Sequence, residues 1–193
     1  MIGARKIFLK AELDNLTPKA RRTRAALIKA AKSLIGREGT AGVNVMTACA
    51  EANVGRTSFY NYFEDIDVLI AAVAFEAAAD IKARFDELHE GQPRGRERLK
   101  RCLAMILSLA ESDPDMVMLL TSLAKTQPEI GELIEAEIVT ELLAAPPGDA
   151  RHTELLARYL TVTTMALVRQ LASGAIPLDG MDQYLAYLMK ACD

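Results

Sequence analysis

The chain has 193 residues, of which 51% are apolar and 25% are charged, so it is long and apolar enough to bury a core. No apolar run approaches the length of a membrane span, and charges interrupt the first 14 residues, where a secretory signal needs an apolar segment. We therefore expect a globular, cytoplasmic protein with no membrane partner.

Charge is distributed unevenly along the chain, although the net charge is only −3. Residues 1–63 hold 11 Lys and Arg against 4 Asp and Glu, whereas residues 64–193 hold 12 against 22. This asymmetry favours a polyanion as the partner of the N-terminal third. A merely uneven surface is the alternative interpretation.

The cysteines and histidines indicate no catalytic or metal site. Cys49, Cys102 and Cys192 are an odd number, widely spaced and set among apolar neighbours, so we interpret them as core thiols. The chain has only two histidines, and neither a Ser-His-Asp or Cys-His arrangement nor a pair of Glu-x-x-His motifs can be assigned. We expect no enzymatic activity, no metal and no other cofactor.

Helical periodicity accounts for nearly every segment, so the fold class is predicted to be all-α. A first helix begins at Thr17-Pro18 and stops at a glycine loop around residues 36–42. Asn44 predicts the N-cap of a short second helix. Residues 53–55 interrupt that helix, and residues 56–63 then have room for about two further turns.

Two short helices joined by a tight turn are a helix-turn-helix, whose second helix enters the major groove of DNA. In GRTSFYNYF, residues 55–63, helical spacing places Phe59 and Phe63 on one side, where they would anchor the helix to a core. The opposite side presents polar groups that can reach phosphates and base edges. A buried aromatic helix with incidental polar residues is the alternative.

The rest of the chain is predicted to be helical as well. A long helix runs from Asp65 to His89 and joins the basic end of the chain to the acidic end. Glycines and prolines then separate five further helices, which are predicted at residues 97–111, 116–126, 129–144, 151–173 and 179–192.

One block of the chain resembles the TetR family of bacterial transcriptional regulators, namely residues 23–73, TRAALIKAAKSLIGREGTAGVNVMTACAEANVGRTSFYNYFEDIDVLIAAV. Within it, VGRTSFYNYF is similar to the family's signature around the recognition helix. The resemblance implies an N-terminal arm and a three-helix DNA-binding domain over residues 1–64. It also implies a larger helical domain for ligand binding and dimerisation over residues 65–193.

Carried over residue by residue, the resemblance implies contacts with double-stranded operator DNA from a basic arm and from both helices of the motif. The residues concerned are Lys19, Arg21, Arg22, Arg24, Asn44, Thr47, Arg56, Thr57, Ser58, Tyr60, Asn61 and Tyr62. The basic residues of the arm could instead be ordinary solvated charges.

Three positions depart from the family's pattern. Asn53 stands where a turn glycine is usual, and Met46 stands where a basic or polar residue is frequent. Ile66 lies within the acidic stretch 64–67, at a position that often holds a phosphate-contacting lysine. These departures leave open an alternative function, a helical ligand-binding or interaction module that has lost sequence-specific DNA binding.

The last two predicted helices carry the strongest apolar surfaces, which predicts a four-helix interface between the subunits of a homodimer on a palindromic operator. The interface residues are predicted to be Leu156, Leu160, Thr163, Leu167, Tyr184, Leu185 and Leu188. The alternative is that these residues face only the core of their own subunit.

The resemblance also implies control by a small molecule, most simply repression that ends when an apolar effector binds and shifts the long helix. The effector, whose identity is unknown, is predicted to contact the middle helices. The predicted contacts are Met105, Leu109, Met116, Leu120, Thr121, Leu123, Tyr159 and Thr163. Each of these residues could equally be an ordinary core residue.

Overall fold

A computed structural model describes residues 16–91, 93–144 and 150–192 of the chain. All regular elements in these ranges are helical, which confirms the all-α prediction. The α-helices of this part are α1 Pro18–Glu38, α2 Val45–Ala52, α3 Arg56–Tyr60, α4 Ile66–His89, α5 Arg96–Ser112, α6 Pro114–Leu123, α7 Glu129–Ala144, α8 Ala150–Ala172 and α9 Met181–Lys190. The start of the predicted N-terminal arm, residues 1–15, lies outside the described residues.

Within the described part, no helix is both long enough and apolar enough to cross a membrane.

The ends of α1 follow from local hydrogen bonding. Thr17 caps the helix, because its Oγ1 accepts a hydrogen bond from the amide of Ala20 at 3.3 Å. Gly36 was predicted to lie in the loop, but it is part of α1. The helix ends at Gly39, whose φ of 76° lies in the left-handed region and whose amide donates to the Ile35 carbonyl at 2.9 Å.

Two of the later helices begin at residues other than those predicted. Helix α6 begins at Pro114, because the Asp113 carboxylate accepts a hydrogen bond from the Met116 amide at 3.2 Å and caps the first turn. Helix α9 begins at Met181 and follows a short 3-10 helix at Leu178–Gly180. The remaining predicted helices after His89 agree with the observed ones to within about two residues.

The helices share one core. Helix α1 packs against α2, α4 and α6, and α8 packs against α5, α6 and α7. A single cluster of buried apolar side chains extends from Leu27 in α1 to Met189 in α9. The N-terminal helices are therefore mechanically connected to the rest of the protein.

Ion pairs reinforce this connection at two points. Lys32 of α1 places its Nζ 3.1 Å from the Glu76 carboxylate and 3.7 Å from that of Asp80, both on α4. Further along α4, Arg84 bonds the Asp113 carboxylate, which caps α6, at 2.9 Å. A displacement of α4 must therefore move or break contacts with both α1 and α6.

A buried carboxylate fixes the turn between α4 and α5. Glu141 of α7 is 1% exposed and lies 2.7 Å from Nη2 of Arg98, while its Oε2 accepts a hydrogen bond from the Gly95 amide at 2.9 Å. Such a charge is tolerated in a core only when it is paired and hydrogen-bonded.

Glu141→Gln is expected to lower the free energy of unfolding by about 3 kcal/mol, because it leaves the Arg98 cation buried without its carboxylate. Glu97→Gln is the matched control, since Glu97 pairs with Arg101 on the exposed face of α5, and its effect should stay within about 0.5 kcal/mol. Urea unfolding followed by circular dichroism measures both. Equal losses of unfolding free energy in the two variants would show that the buried ion pair contributes no more to stability than the exposed one.

Candidate nucleic-acid interface and associated surfaces

The turn before α3 uses Asn53 in place of a glycine. Asn53 adopts a left-handed conformation, with φ 52° and ψ 47°, and ends α2. Asparagine enters this conformation more readily than most residues, so the turn keeps its geometry without glycine. The amide of Val54 then donates to the Cys49 carbonyl at 2.9 Å, which closes the turn.

Two phenylalanines fix α3 in place. Phe59 is 0% exposed and Phe63 is 1% exposed, with their ring centroids 5.7 Å apart. The helix itself ends at Tyr60, earlier than predicted, because Asn61 caps it and the Tyr62 amide donates back to the Phe59 carbonyl at 2.9 Å. Phe63 nevertheless reaches the same core, since its amide also bonds the Phe59 carbonyl, at 3.0 Å.

The opposite side of α3 and its C-cap are open to solvent. Arg56, Thr57 and Asn61 are exposed, and Tyr60 is 53% exposed with its ring edge against Phe59 at a centroid distance of 5.4 Å. A guanidinium, a hydroxyl, an amide and a phenol therefore occupy one short surface. These groups can donate to phosphates and to the base edges of a duplex.

The other predicted contacts on the motif are either half-buried or engaged in helix capping. Ser58 and Tyr62 are half-buried, so only part of each side chain faces outward. Asn44 and Thr47 form a capping box at the start of α2, in which Asn44 Oδ1 accepts from the Met46 and Thr47 amides at 2.9 and 3.0 Å. Met46 between them is 68% exposed. The polar atoms of the box orient α2, and any DNA contact by them stays a prediction.

The first turns of α1 are strongly basic. Lys19, Arg21 and Arg22 are exposed and make no ion pair with any residue that the structure describes. No acidic residue lies in the first turn, so these cations oppose the positive end of the helix dipole. Their placement costs stability unless an external anion compensates for it.

Arg24 has a different environment from these three residues. It is half-buried, and its guanidinium carbon lies 5.4 Å from the centroid of the Phe63 ring. Burial lowers the pKa of Arg24, and the nearby Glu76 opposes this shift. The contact places the beginning of α1 beside the segment that follows α3, so the basic turns and the exposed polar surface of α3 are neighbours.

The acidic stretch before α4 has a local structural use. The Asp65 carboxylate accepts a hydrogen bond from the Val68 amide at 2.9 Å and caps α4, and Asp67 lies in the first turn of that helix. Glu64 and Asp67 remain exposed, while Ile66 is half-buried against the core.

The structure brings only part of the predicted effector contacts together. Leu109 and Leu120 line a cavity of about 10 Å³, together with side chains from α4, α7 and α8. Thr121 and Leu123 are buried, and Met105 and Met116 are half-buried. Tyr159 is 54% exposed and Thr163 is half-buried. Of the eight predicted effector contacts, only Leu109 and Leu120 line this cavity.

Two of the three thiols are buried. Cys49 and Cys102 are buried, and burial, followed by the charges of Glu141 and Glu137, raises the pKa of Cys102 to about 12. A buried thiol of this kind stays protonated at neutral pH. In residues 16–91, 93–144 and 150–192, no group of three or more His, Cys, Asp or Glu side chains is placed to hold a metal ion.

The apolar surface of α8 differs from the one predicted. Leu156, Leu160 and Leu188 are buried inside the subunit, so they cannot form the exposed face of a dimer interface. Helical rotation instead exposes a stripe at spacings of four and three residues, formed by Leu155, Tyr159 and Val162, which are 61%, 54% and 64% exposed. The other predicted interface residues, which are half-buried and accessible in part, are Thr163, Leu167, Tyr184 and Leu185.

Comparisons with known proteins point to one family. Residues 27–73, which include α2 and α3, match the profile described as "Bacterial regulatory proteins, tetR family". No curated protein gives a significant sequence match.

Solved structures resemble the whole fold at low identity. A TetR-like transcriptional regulator from Rhodococcus sp. RHA1 is 20% identical with a TM-score of 0.72, covering 91% of this chain and 97% of the other. A putative transcriptional regulator from Pseudomonas aeruginosa PAO1 is 21% identical with a TM-score of 0.69, covering 92% of both chains. The transcriptional regulator FadR from Bacillus subtilis, in complex with stearoyl-CoA, is 15% identical with a TM-score of 0.68, covering 86% and 98%.

Alanine substitutions at the adjacent residues Phe59 and Tyr60 test whether α3 is oriented with Phe59 in the core and Tyr60 in solvent. Phe59→Ala is expected to cost about 3–5 kcal/mol of unfolding free energy, because it empties a fully buried site. Tyr60→Ala removes an exposed ring and should cost about 1 kcal/mol or less. Chemical denaturation of both variants measures the difference, and a Tyr60 variant as unstable as the Phe59 variant would contradict the assigned orientation of α3.

Proposed function

We propose that this chain, which belongs to the TetR family of bacterial transcriptional regulators, binds a palindromic operator as a homodimer and represses transcription until a small apolar effector releases it. The observation that carries the proposal is the exposed polar surface of α3 above two buried phenylalanines. A five-residue helix held in this way has no evident packing reason to expose Arg56, Thr57, Tyr60 and Asn61 together.

DNA recognition would divide between two kinds of contact. The exposed Lys19, Arg21 and Arg22 at the start of α1 suit phosphate contacts, which supply affinity without sequence information. Arg56 on α3 suits a bidentate contact to guanine, and Asn61 suits one to adenine. Tyr60 can donate its hydroxyl to a phosphate at the rim of the groove.

Dimerisation would supply the specificity that one short helix lacks. A single α3 can contact only a few base pairs, whereas a two-fold dimer reads two half-sites about one helical turn apart. The exposed stripe of Leu155, Tyr159 and Val162 is an apolar surface of the kind that marks protein interfaces. We place it, with the accessible parts of α9, at the centre of the homodimer.

Effector control would act through α4. Ile81 of α4 lines the cavity in the core, so a ligand that enlarges the cavity pushes directly on this helix. The ion pairs of Lys32 and Arg84 would then transmit the shift to α1 and α6. The similar FadR structure from Bacillus subtilis holds stearoyl-CoA, which supports control by a ligand with a long apolar part.

Selection of bound duplexes from a random pool is the direct test of DNA binding. The purified protein should recover a palindrome, and Arg56→Ala should weaken binding to it by about 1–3 kcal/mol with relaxed specificity at one position. Tyr60→Phe should cost about 1 kcal/mol, because only one hydrogen bond is lost. Arg169→Ala, at the exposed end of α8, is the matched control and should leave binding unchanged.

The salt dependence of binding separates this function from its alternative. Each phosphate contact should contribute a slope of about 0.9 in the logarithm of affinity against the logarithm of salt, so the slope should be steep. No enriched sequence and no salt-dependent binding would favour a helical ligand-binding or interaction module without DNA binding. The exposed Met46 and the acidic residues before α4 are the features consistent with that alternative.

A charge in the α8 stripe should separate the subunits. Val162→Asp is expected to convert the dimer to a monomer at micromolar concentration in sedimentation velocity, because the carboxylate would be buried in the interface. Phe75→Asp is the control, since Phe75 of α4 is 57% exposed but lies outside α8 and α9. A dimer that survives Val162→Asp and dissociates with Phe75→Asp would place the interface on α4.

A further inference from the structure

Thr164 of α8 is a buried residue whose hydroxyl is not hydrogen-bonded within the described part of the chain. It is 0% exposed, and its Oγ1 has no hydrogen-bond partner among the residues that the structure describes. Threonines inside helices usually donate to the carbonyl four residues earlier, as Thr161 does to Ala157 at 2.9 Å and Thr121 does to Val117 at 2.8 Å. Thr164 differs in this respect from Thr161, the buried threonine one turn earlier on the same helix.

Thr164 does not itself line the core cavity, but it lies on the buried face of α8 next to residues that do. Val168, one turn further along, and the adjacent Met165 both line that cavity. The remaining lining residues are Ile81, Ile106, Leu109, Val117, Leu120 and Ile134, so the lining is entirely apolar. A ligand in this cavity would find no charged side chain, and a ligand that displaces Met165 or Val168 would come within one helical turn of Thr164, whose hydroxyl is unpaired among the described residues.

The size of the cavity limits what the free protein can hold. At about 10 Å³ the space is at the lower limit for a single water molecule, so any organic ligand must displace side chains. Met165 is half-buried and unbranched, and it can change rotamer to enlarge the space. Binding would therefore alter the packing among the helices that line the cavity, including α4.

We propose that Thr164 is the polar contact of the effector site, and that the effector is a neutral, mainly apolar molecule with one hydrogen-bonding group such as a hydroxyl or a carbonyl. A charged group is disfavoured because nothing in the lining compensates its desolvation. The role of this site in gene control rests on the proposed function, whereas the binding itself does not. The polar residues that the sequence suggested as effector contacts, Thr121, Tyr159 and Thr163, are replaced in this role by Thr164.

The first arm of the test compares two buried threonines without a ligand. Thr164→Val removes a hydroxyl that has no partner and should leave the melting temperature unchanged or raise it. Thr161→Val is the matched control, because it removes a bonded hydroxyl on the same helix and should lower the melting temperature. If Thr164→Val lowers it as much as Thr161→Val does, the hydroxyl is satisfied in the free protein, for example by an internal water, and the proposal is overturned.

The second arm uses p-cresol and p-xylene. The two compounds have nearly the same shape, but p-cresol has a hydroxyl group in place of one methyl group of p-xylene. Titration followed by NMR should show that the wild-type protein binds p-cresol about tenfold more tightly than p-xylene, although p-cresol is better hydrated in water. The preference should disappear in Thr164→Val and persist in Thr161→Val. Failure of both compounds to bind, or a preference that survives in Thr164→Val, would contradict the proposal.

A third measurement separates this site from DNA recognition. Because the first two arms contain no DNA, they can succeed even if the protein has no operator. Adding p-cresol to a preformed complex with the selected duplex should lower DNA affinity in the wild-type protein and leave it unchanged in Thr164→Val. Binding of p-cresol without any change in DNA affinity would overturn the regulatory role while leaving the contact with Thr164 in place.

Discussion

The burial of Phe59 and Phe63 is the constraint on which the rest of the structure depends. Helix α3 has five residues and no side-chain cap, and an isolated helix of that length does not persist in water. The two rings supply the tertiary packing that such a helix needs, and their direction into the core fixes the opposite direction of Arg56, Thr57 and Tyr60. The exposure of these polar side chains is therefore a consequence of the packing of the two rings on the opposite side of α3.

The same core couples the exposed polar surface of α3 to the remainder of the protein. Arg24 lies over Phe63, Lys32 connects α1 to α4, and Arg84 connects α4 to the cap of α6. Because α4 also contributes Ile81 to the central cavity, one helix contacts both regions where a ligand and DNA would bind. A small change in the packing of α4 can thus alter the position of α3 without any direct contact between the two ligands.

Much of this architecture was predictable from the sequence, because its signals are local. Thr17-Pro18, Asn44 and Asp65 are helix caps that depend only on neighbouring residues, and each lies at an observed helix start. The exposed face of α8 was not predictable, since Leu155 and Leu156 are equally apolar and only the packing of α5, α6 and α7 decides which is buried. Thr164 was missed for the same reason. Nothing in the sequence distinguishes it from the neighbouring threonines Thr161 and Thr163, because the lack of a hydrogen-bond partner is visible only in coordinates.

NMR amide shifts on addition of a duplex at low salt test the central claim most directly, because non-specific binding needs no knowledge of the operator. The account predicts that the largest shifts fall on the amides of α3 and the first turns of α1, while those of α7 stay unchanged. Shifts confined to α8 and α9, or none at all while the protein remains folded, would contradict the assignment of α3 as the surface that meets DNA.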